Sequence, residues 1–219
     1  MAKERIGLLG GTFNPVHKGH MRAAAEVRRM FALHKILFIP SFIPPHKQTA
    51  EIASPEDRFA MVEAAVRGNP HYVASPVEIE AKEKSYSIIT LNKVKNIYHG
   101  AWVFFILGID AFLEIETWKS YQEVLGQCHF IVTSRPGFLL EDARSVLPRK
   151  YGGQIFELEE SEPVGEKMIR SFRIFLVSIK ALDISSTEIR TRIKKGQSVK
   201  GFLPEAVEVY IKKKKLYQG

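Results

Sequence analysis

Residues 7–20 read GLLGGTFNPVHKGH, and this stretch decides the fold. Residues 5–9 are a short apolar run ending at Gly10 and Gly11, and a helical pattern resumes at Met21. The stretch therefore predicts a strand, a tight glycine turn and a helix start. In an α/β sheet that is where phosphates bind. Glycine lets the backbone approach an anion, and the amides of the following helix N-terminus, aided by its dipole, hold negative charge. His17 and His20 are three apart with Gly19 between them, so near the first helical turn both rings can face one small volume above the sheet. A lone histidine more often caps or packs, but a pair directly after a glycine turn points to a site.

Composition bounds the rest. The chain has 219 residues, 45% of them apolar, enough for one large domain with a real core or one domain plus a small subdomain. We read residues 1–219 as a single domain, with no internal repeat or low-complexity linker to mark a boundary. No run of about 18 apolar residues occurs, so no membrane span is predicted. MAKERIGLLGG enters a strand at once, without the apolar core or cleavage site of a signal peptide. The one cysteine, Cys128, has no internal disulfide partner and sits in the apolar run CHFIVT, which predicts burial and fits a reducing cytoplasm. A net charge of +8 suits nucleic acid or a substrate carrying several phosphates. Part of the excess is the run Lys212, Lys213, Lys214 and Lys215, read as a solvated helix end that complements the dipole. No aromatic and basic stripe that would stack bases is evident, so nucleic acid is not the expected partner.

Along the chain, residues 21–33 have a helical period and KILFIP (35–40) is a continuous apolar strand, as in a sheet covered on both faces, so the opening is a βαβ unit. The loop that follows holds the stiff, positive Pro44-Pro45-His46-Lys47. Ser54-Pro55-Glu56-Asp57 supplies an N-cap, a first-turn proline and acids for a helix through Arg67. Residues 71–79 are strand-like, and 85–98 read as a helix whose start, Ser85-Tyr86-Ser87, offers hydroxyls. WVFFIL (102–107) is a buried strand that delivers Gly108-Ile109-Asp110 to the edge where ligands of such sheets lie. Residues 112–125 are read as helical and carry Trp118. Residues 128–133 are the next strand, delivering Ser134-Arg135-Pro136-Gly137 to the same edge. Residues 139–150 read as an amphipathic helix, 154–158 and 173–177 as strands, and the span between those strands as a polar link.

The second informative stretch is DISSTEIR, residues 183–190. Serines and a threonine ahead of an acid open a helix running to Lys195, so hydroxyls and free amides converge at one helix end. Capping needs only one of those hydroxyls, and Arg190, one turn in, favours a phosphate. Gly196 ends that helix and Pro204 starts a last one through Lys214.

GTFNPVHKGH is similar to the (T/H)xGH signature of the nucleotidyltransferase superfamily, and neither GxGxxG nor the Walker pattern occurs at this turn. With PPHK, SYS and Thr90, LGID, Trp118, SRPG and DISSTEIR in that order, the chain resembles bacterial nicotinate-nucleotide adenylyltransferases from Gly10 to the end of the Pro204 helix. The resemblance implies a Rossmann-like, mostly parallel α/β sheet with helices on both faces and C-terminal helices. It implies transfer of the adenylyl group of ATP to nicotinate mononucleotide. His17, His20 and Arg190 would be catalytic, holding the ATP phosphates with Ser186 and Thr187. Gly10, Gly11, Thr12, Phe13, Gly108, Asp110 and Arg135 would line the nucleotide. His46, Lys47, Ser87 and Trp118 would meet the acceptor, the tryptophan stacking on its ring. The sequence departs from the family at Asn14, often aspartate, at Ser87, usually threonine, and at Lys119, commonly tyrosine. The last two touch the acceptor pocket.

The implied chemistry needs positioning and charge neutralisation more than covalent help. No carboxylate cluster suggests a metal cage, which suits Mg²⁺ brought in with ATP. Two rivals keep the same ends or the same sheet: a pantetheine-phosphate or nicotinamide mononucleotide adenylyltransferase, and a basic nucleic-acid-binding module. A homo-oligomer is compatible with the sequence and not specified by it.

Overall fold

The computed structural model describes residues 3–43, 52–158, 163–171, 173–180 and 182–218. Seven strands form one sheet: β1 (Arg5–Gly11), β2 (Lys35–Pro40), β3 (Tyr72–Ala74), β4 (Trp102–Gly108), β5 (His129–Thr133), β6 (Ile155–Leu158) and β7 (Ile174–Val177), in the order β3-β2-β1-β4-β5-β7-β6. β1 pairs in parallel with β4, β4 with β5, β5 with β7 and β7 with β6. The order 3-2-1-4-5 is that of a doubly wound α/β sheet, reversing direction between β1 and β4, so the Rossmann-like expectation holds. Among the described residues no helix is long and apolar enough to cross a membrane.

By compactness the chain divides into two units. The first comprises Met1–Leu9, Ala23–Ile36 and Tyr86–Ala181. Its strands are apolar runs because both faces are covered: Val103 to Leu107 of β4 and all of β7 are buried. Phe31, at the end of the helix α1 (Lys18–Phe31), lies edge-on to Phe104 and Phe175, with ring centroids 5.6 and 5.1 Å apart. Gly7 is required here, since a Cβ would stand 2.8 Å from Cδ1 of Ile106 and 2.9 Å from Cδ1 of Leu33. Cys128 is buried, as its apolar setting implies, and burial pushes its thiol up to about 12.

The second unit comprises Gly10–Arg22, Leu37–Ser85 and Leu182–Gly219. It holds α2 (Pro55–Val66), with Ser54 as N-cap accepting the Asp57 amide at 3.0 Å, and the C-terminal helices α7 (Ser186–Lys194) and α8 (Glu205–Lys214). Tyr210 of α8 donates to Asp57 Oδ1 of α2 at 2.8 Å, and the buried Met61, Val62, Val207 and Ile211 contribute the apolar surface of the two helices.

Several expectations need correction. Gly10 and Gly11 belong to β1, and the turn lies at Asn14 and Pro15, after a left-handed Phe13 (φ 48°). α1 begins at Lys18, three residues before Met21. Residues 112–125 are not one helix. They divide into α4 (Ile109–Phe112), a 3₁₀ turn (Ile115–Thr117) and α5 (Tyr121–Gln127), because Trp118 is extended and Ser120 left-handed (φ 54°). α3 (Ser87–Ile97) precedes them, starting two residues later than Ser85. Residues 139–150 hold 3₁₀ turns, Leu140–Arg144 and the start of Arg149–Gln154, divided at Pro148, which has no N–H for a helix interior. The polar link between β6 and β7 contains a short helix, α6 (Glu166–Ser171), with an Arg170 to Glu166 pair one turn apart. Pro204 stands at the N-cap of α8 and not inside it.

Candidate active site

In the second unit the chain leaves β1 into residues 12–17, which form neither helix nor strand, so each backbone carbonyl there needs a partner from elsewhere. Thr12 O accepts from Arg58 Nη1 (2.9 Å), Asn14 O from Arg190 Nη1 (3.0 Å) and Pro15 O from the Ser186 hydroxyl (2.9 Å). Arg58 of α2 and the first turns of α7 are thereby tied to the short loop that leads into α1. Ser185 caps α7 by accepting the Glu188 amide at 3.1 Å, leaving the hydroxyls of Ser186 and Thr187 for other work. Arg190 Nη2 reaches Thr187 Oγ1 at 3.5 Å.

His17, 6% exposed, precedes the first residue of α1, and its carbonyl accepts the Met21 amide. The amide of His17 donates to Nδ1 of His20 at 3.2 Å, and the two rings stack with centroids 3.7 Å apart. That bond makes Nδ1 of His20 the acceptor, so its proton sits on Nε2. The glycine between them has a steric reason: a Cβ on Gly19 would stand 3.0 Å from two atoms of the His17 ring. Phe13 lies edge-on to His20 at 5.1 Å, and its ring covers Gly11, where a Cβ would be 3.4 Å away. A bulky side chain at positive φ is uncommon, and here it walls the histidine pair. The loop thus leads into His17 and His20, whose rings stack, and is bonded to Ser186 and Arg190 of α7.

Sequence reasoning missed three residues here. Arg58 is 1% exposed, and its guanidinium donates to four backbone carbonyls: Ala53 (3.0 Å), Thr12, Ser41 (2.6 Å) and Phe42 (3.0 Å). Burial pulls its pKa below the ordinary value, opposed by Tyr217, Glu56 and Glu78. Asn14 is 5% exposed, and its Oδ1 accepts both the Ala53 amide (3.0 Å) and the Tyr217 hydroxyl (2.7 Å). Nothing in the periodicity around Arg58 or Tyr217 distinguishes them from surface residues. His46 and Lys47, read from PPHK, lie outside the described residues.

In the first unit, Gly108 ends β4 and Asp110 follows it in α4. Arg135 Nη1 meets Asp110 Oδ2 at 2.6 Å, both partly exposed. Asp110 Oδ1 is buried with no hydrogen-bond partner, packed where a Cβ on Gly108 would come within 2.4 Å. Ser87 is the first residue of α3, whose N-cap Tyr86 makes no side-chain cap bond. Trp118 stands edge-on to Phe105 at 5.5 Å, and Lys119 places its Nζ 4.6 Å from the centre of the Tyr86 ring. The Ser87 and Trp118 segments are thus neighbours. Among the described residues no group of three His, Cys, Asp or Glu side chains is placed to hold a metal ion.

A family model described as cytidylyltransferase-like matches residues 8–192. Proteins named probable nicotinate-nucleotide adenylyltransferase from Desulfitobacterium hafniense (strain Y51) and Moorella thermoacetica are 41% and 40% identical over 215 residues. The matches cover 98% of this chain and 96% and 92% of theirs. The chain belongs to the nicotinate-nucleotide adenylyltransferase family. Members are nucleotidyltransferases that use ATP. The fold agrees: a nicotinic acid mononucleotide adenylyltransferase of Plasmodium falciparum, solved with NaAD, superposes with a TM-score of 0.72 at 18% identity, over 98% of this chain and 97% of that one. The span that the family model matches, residues 8–192, takes in the histidine pair near one end and Arg190 near the other.

Proposed function

We propose that residues 1–219 act as one nucleotidyltransferase domain that moves the adenylyl group of ATP onto nicotinate mononucleotide, releasing pyrophosphate and giving nicotinate adenine dinucleotide for NAD synthesis in the cytoplasm. The observation that carries the reading is the loop at Asn14 and Pro15, bonded to Ser186 and Arg190 of α7, leading into the N-terminus of α1 and flanked by His17 and His20. Two helix N-termini, a guanidinium and paired imidazoles present donors and positive potential, which suits a polyphosphate.

The acceptor's phosphate attacks the α-phosphorus in line as pyrophosphate leaves. His20, with Nε2 protonated, donates to charge on the phosphates, and His17, Arg190, Ser186 and Thr187 share that load. Gly10, Gly11, Thr12 and Phe13 shape the backbone at the phosphates. Gly108, Asp110 and Arg135 are assigned to the nucleotide, the unpartnered Asp110 Oδ1 being an acceptor ready for a sugar hydroxyl. His46, Lys47, Ser87 and Trp118 are assigned to the acceptor nucleotide. Among the described residues no carboxylate cage is placed to hold a metal ion, and Mg²⁺ would come in with ATP as part of the substrate.

Preference for nicotinate over nicotinamide follows from donor count. A carboxylate only accepts hydrogen bonds, whereas an amide brings two donors of its own. The helix start at Ser87 and the ammonium of Lys119 supply donors and positive charge. Pyrophosphate release should be measured with nicotinate mononucleotide, nicotinamide mononucleotide and 4′-phosphopantetheine as acceptors. A kcat/KM advantage of about ten- to a hundredfold for nicotinate is expected from donors left unpaired against the amide. A preference for either other acceptor overturns the assignment, and salt-sensitive nucleic-acid binding without turnover would favour the binding module.

A further inference from the structure

The tail beyond α8 has no place in the reading so far, yet it reaches the centre of the phosphate loop. α8 ends in a left-handed Lys215 (φ 52°), the Leu216 amide returns to the Ile211 carbonyl at 3.1 Å, and Tyr217 is itself left-handed (φ 62°). This is a helix-terminating turn of a kind usually built with glycine, made here with a lysine and followed by a bulky residue in the same uncommon region. Its effect is to turn the chain back, so that the Tyr217 hydroxyl donates to Asn14 Oδ1 at 2.7 Å.

We propose that Tyr217 is a positioning residue for the phosphate loop: its phenol fixes Asn14, and through the Asn14 carbonyl it sets the guanidinium of Arg190. Asn14 is held through both its side chain and its backbone carbonyl. Its Oδ1 faces two donors, the Ala53 amide and the Tyr217 hydroxyl, which fixes the orientation of the amide plane. Its main-chain oxygen takes one of the two terminal nitrogens of Arg190. A movement of Asn14 is therefore a movement of the Arg190 fork.

The choice of a phenol is chemically apt. Arg58 and Arg190 both lie close enough to Tyr217 to oppose the effect of burial, which pushes the phenol pKa up. A carboxylate there would cancel positive charge that the ATP phosphates need, whereas a neutral phenol donates to Asn14 and leaves that charge intact. The same logic applies to Arg58, whose donors all end on carbonyls and none on a carboxylate among the bonds described above.

The inference rests on the reading that Arg190 serves ATP, and a double-mutant cycle separates the two. Tyr217→Phe removes only the hydroxyl and Arg190→Lys removes the fork. ATP binding is followed by calorimetry, turnover by pyrophosphate release with nicotinate mononucleotide, and folding by thermal melts. Tyr217→Phe should lower kcat/KM for ATP about five- to twentyfold in the wild-type background and less than twofold in the Arg190→Lys background, because coupled residues are not additive. Asn14→Leu, which removes the acceptor, should show the same dependence on the Arg190 background, and it stands in if Tyr217→Phe fails to fold. Equal losses in both backgrounds, or an unaltered Tyr217→Phe enzyme, overturn the proposal. Coupling in ATP affinity without pyrophosphate release would instead remove the nicotinate reading and leave Tyr217 in place, and a wild-type protein that binds no ATP removes both.

Discussion

The backbone amide of His17 donates to Nδ1 of His20 while the two rings stack 3.7 Å apart, so one histidine fixes the tautomer and the plane of the other. The two nitrogens of His20 therefore have separate jobs, and two substitutions divide them. His20→Asn keeps an acceptor near the Nδ1 position and loses the Nε2 donor. It should melt close to wild type and lose about 10²–10³-fold in kcat, the range for removing one preorganised donor. His20→Gln, with its amide nearer Nε2, should keep more activity and less stability. Steady-state kinetics and thermal melts on both variants check the order, and a fully active His20→Asn enzyme would sink the assignment.

Arg58→Met removes a buried cation whose donors satisfy the carbonyls of Thr12, Ser41, Phe42 and Ala53. Four carbonyls then lack this donor, that of Ser41 in a buried bond and the other three in partly buried ones. Equilibrium urea unfolding should show a loss of about 3–5 kcal/mol, the range for breaking a buried charged network by removing one member. Arg58→Lys, one point charge for a planar fork, should recover only part of it. A loss under about 1 kcal/mol would mean that water replaces the guanidinium.

Gly108→Ala tests the other half of the nucleotide assignment. The new methyl would lie 2.4 Å from Asp110 Oδ1, so the carboxylate must swing and its 2.6 Å contact with Arg135 must change. The contact is partly exposed, so stability should fall by less than about 1 kcal/mol. KM for ATP should rise severalfold with kcat changed less, as when binding common to ground and transition states is lost. An unchanged KM for ATP would detach Asp110 from the nucleotide.

How much of this was legible in the sequence depends on how local each cause is. The Ser54 and Ser185 caps, the proline at the start of α2 and the glycine after α7 act through neighbours within a few residues, and all stand where the sequence places them. The buried strands were legible because both faces are covered and the apolar run is continuous. The break at Trp118 was not, because it comes from a ring seated on Phe105 and not from a local breaker. α1 starts before Met21 because Gly19, a poor helix former, is tolerated there for the room it leaves His17. Arg58 and Tyr217 were illegible for the same reason in stronger form: their partners lie up to 46 and 203 residues away. The HxGH and SSTxIR motifs conveyed which residues gather, but not that Asn14 and Pro15 are the seat on which they gather.

Alkali should weaken the fold before it touches the chemistry. Burial holds the Cys128 thiol at about 12 against an ordinary 9.0. Burial and the hydrogen bond to Asp57 hold Tyr210 at about 12 against 10.0. Tyr151 and Tyr217 are pushed in the same direction. Between the unfolded and folded values the unfolded chain binds fewer protons, so stability falls as pH rises. The contribution of Cys128 is complete below pH 9 and is lost toward 12; that of Tyr210 is complete below 10 and is lost over the same upper range. The urea midpoint should be lower at about pH 10.5 than at about pH 8, and Cys128→Val should shrink the difference. A flat midpoint across that window would contradict the burial of these groups. At pH 8 the native thiol should resist alkylation, since the thiolate is the reactive form.

The bond from Tyr217 to Asn14 also sets an order in time. Asn14 is synthesised 203 residues ahead of its clasp, roughly 10–40 seconds at ordinary rates of synthesis. For most of that interval the loop has neither Arg190, 176 residues on, nor Tyr217 to hold it. A nascent chain can therefore carry the histidine signature intact and still lack the bonds that fasten its loop, so that a fully fastened loop reports that α8 has been made.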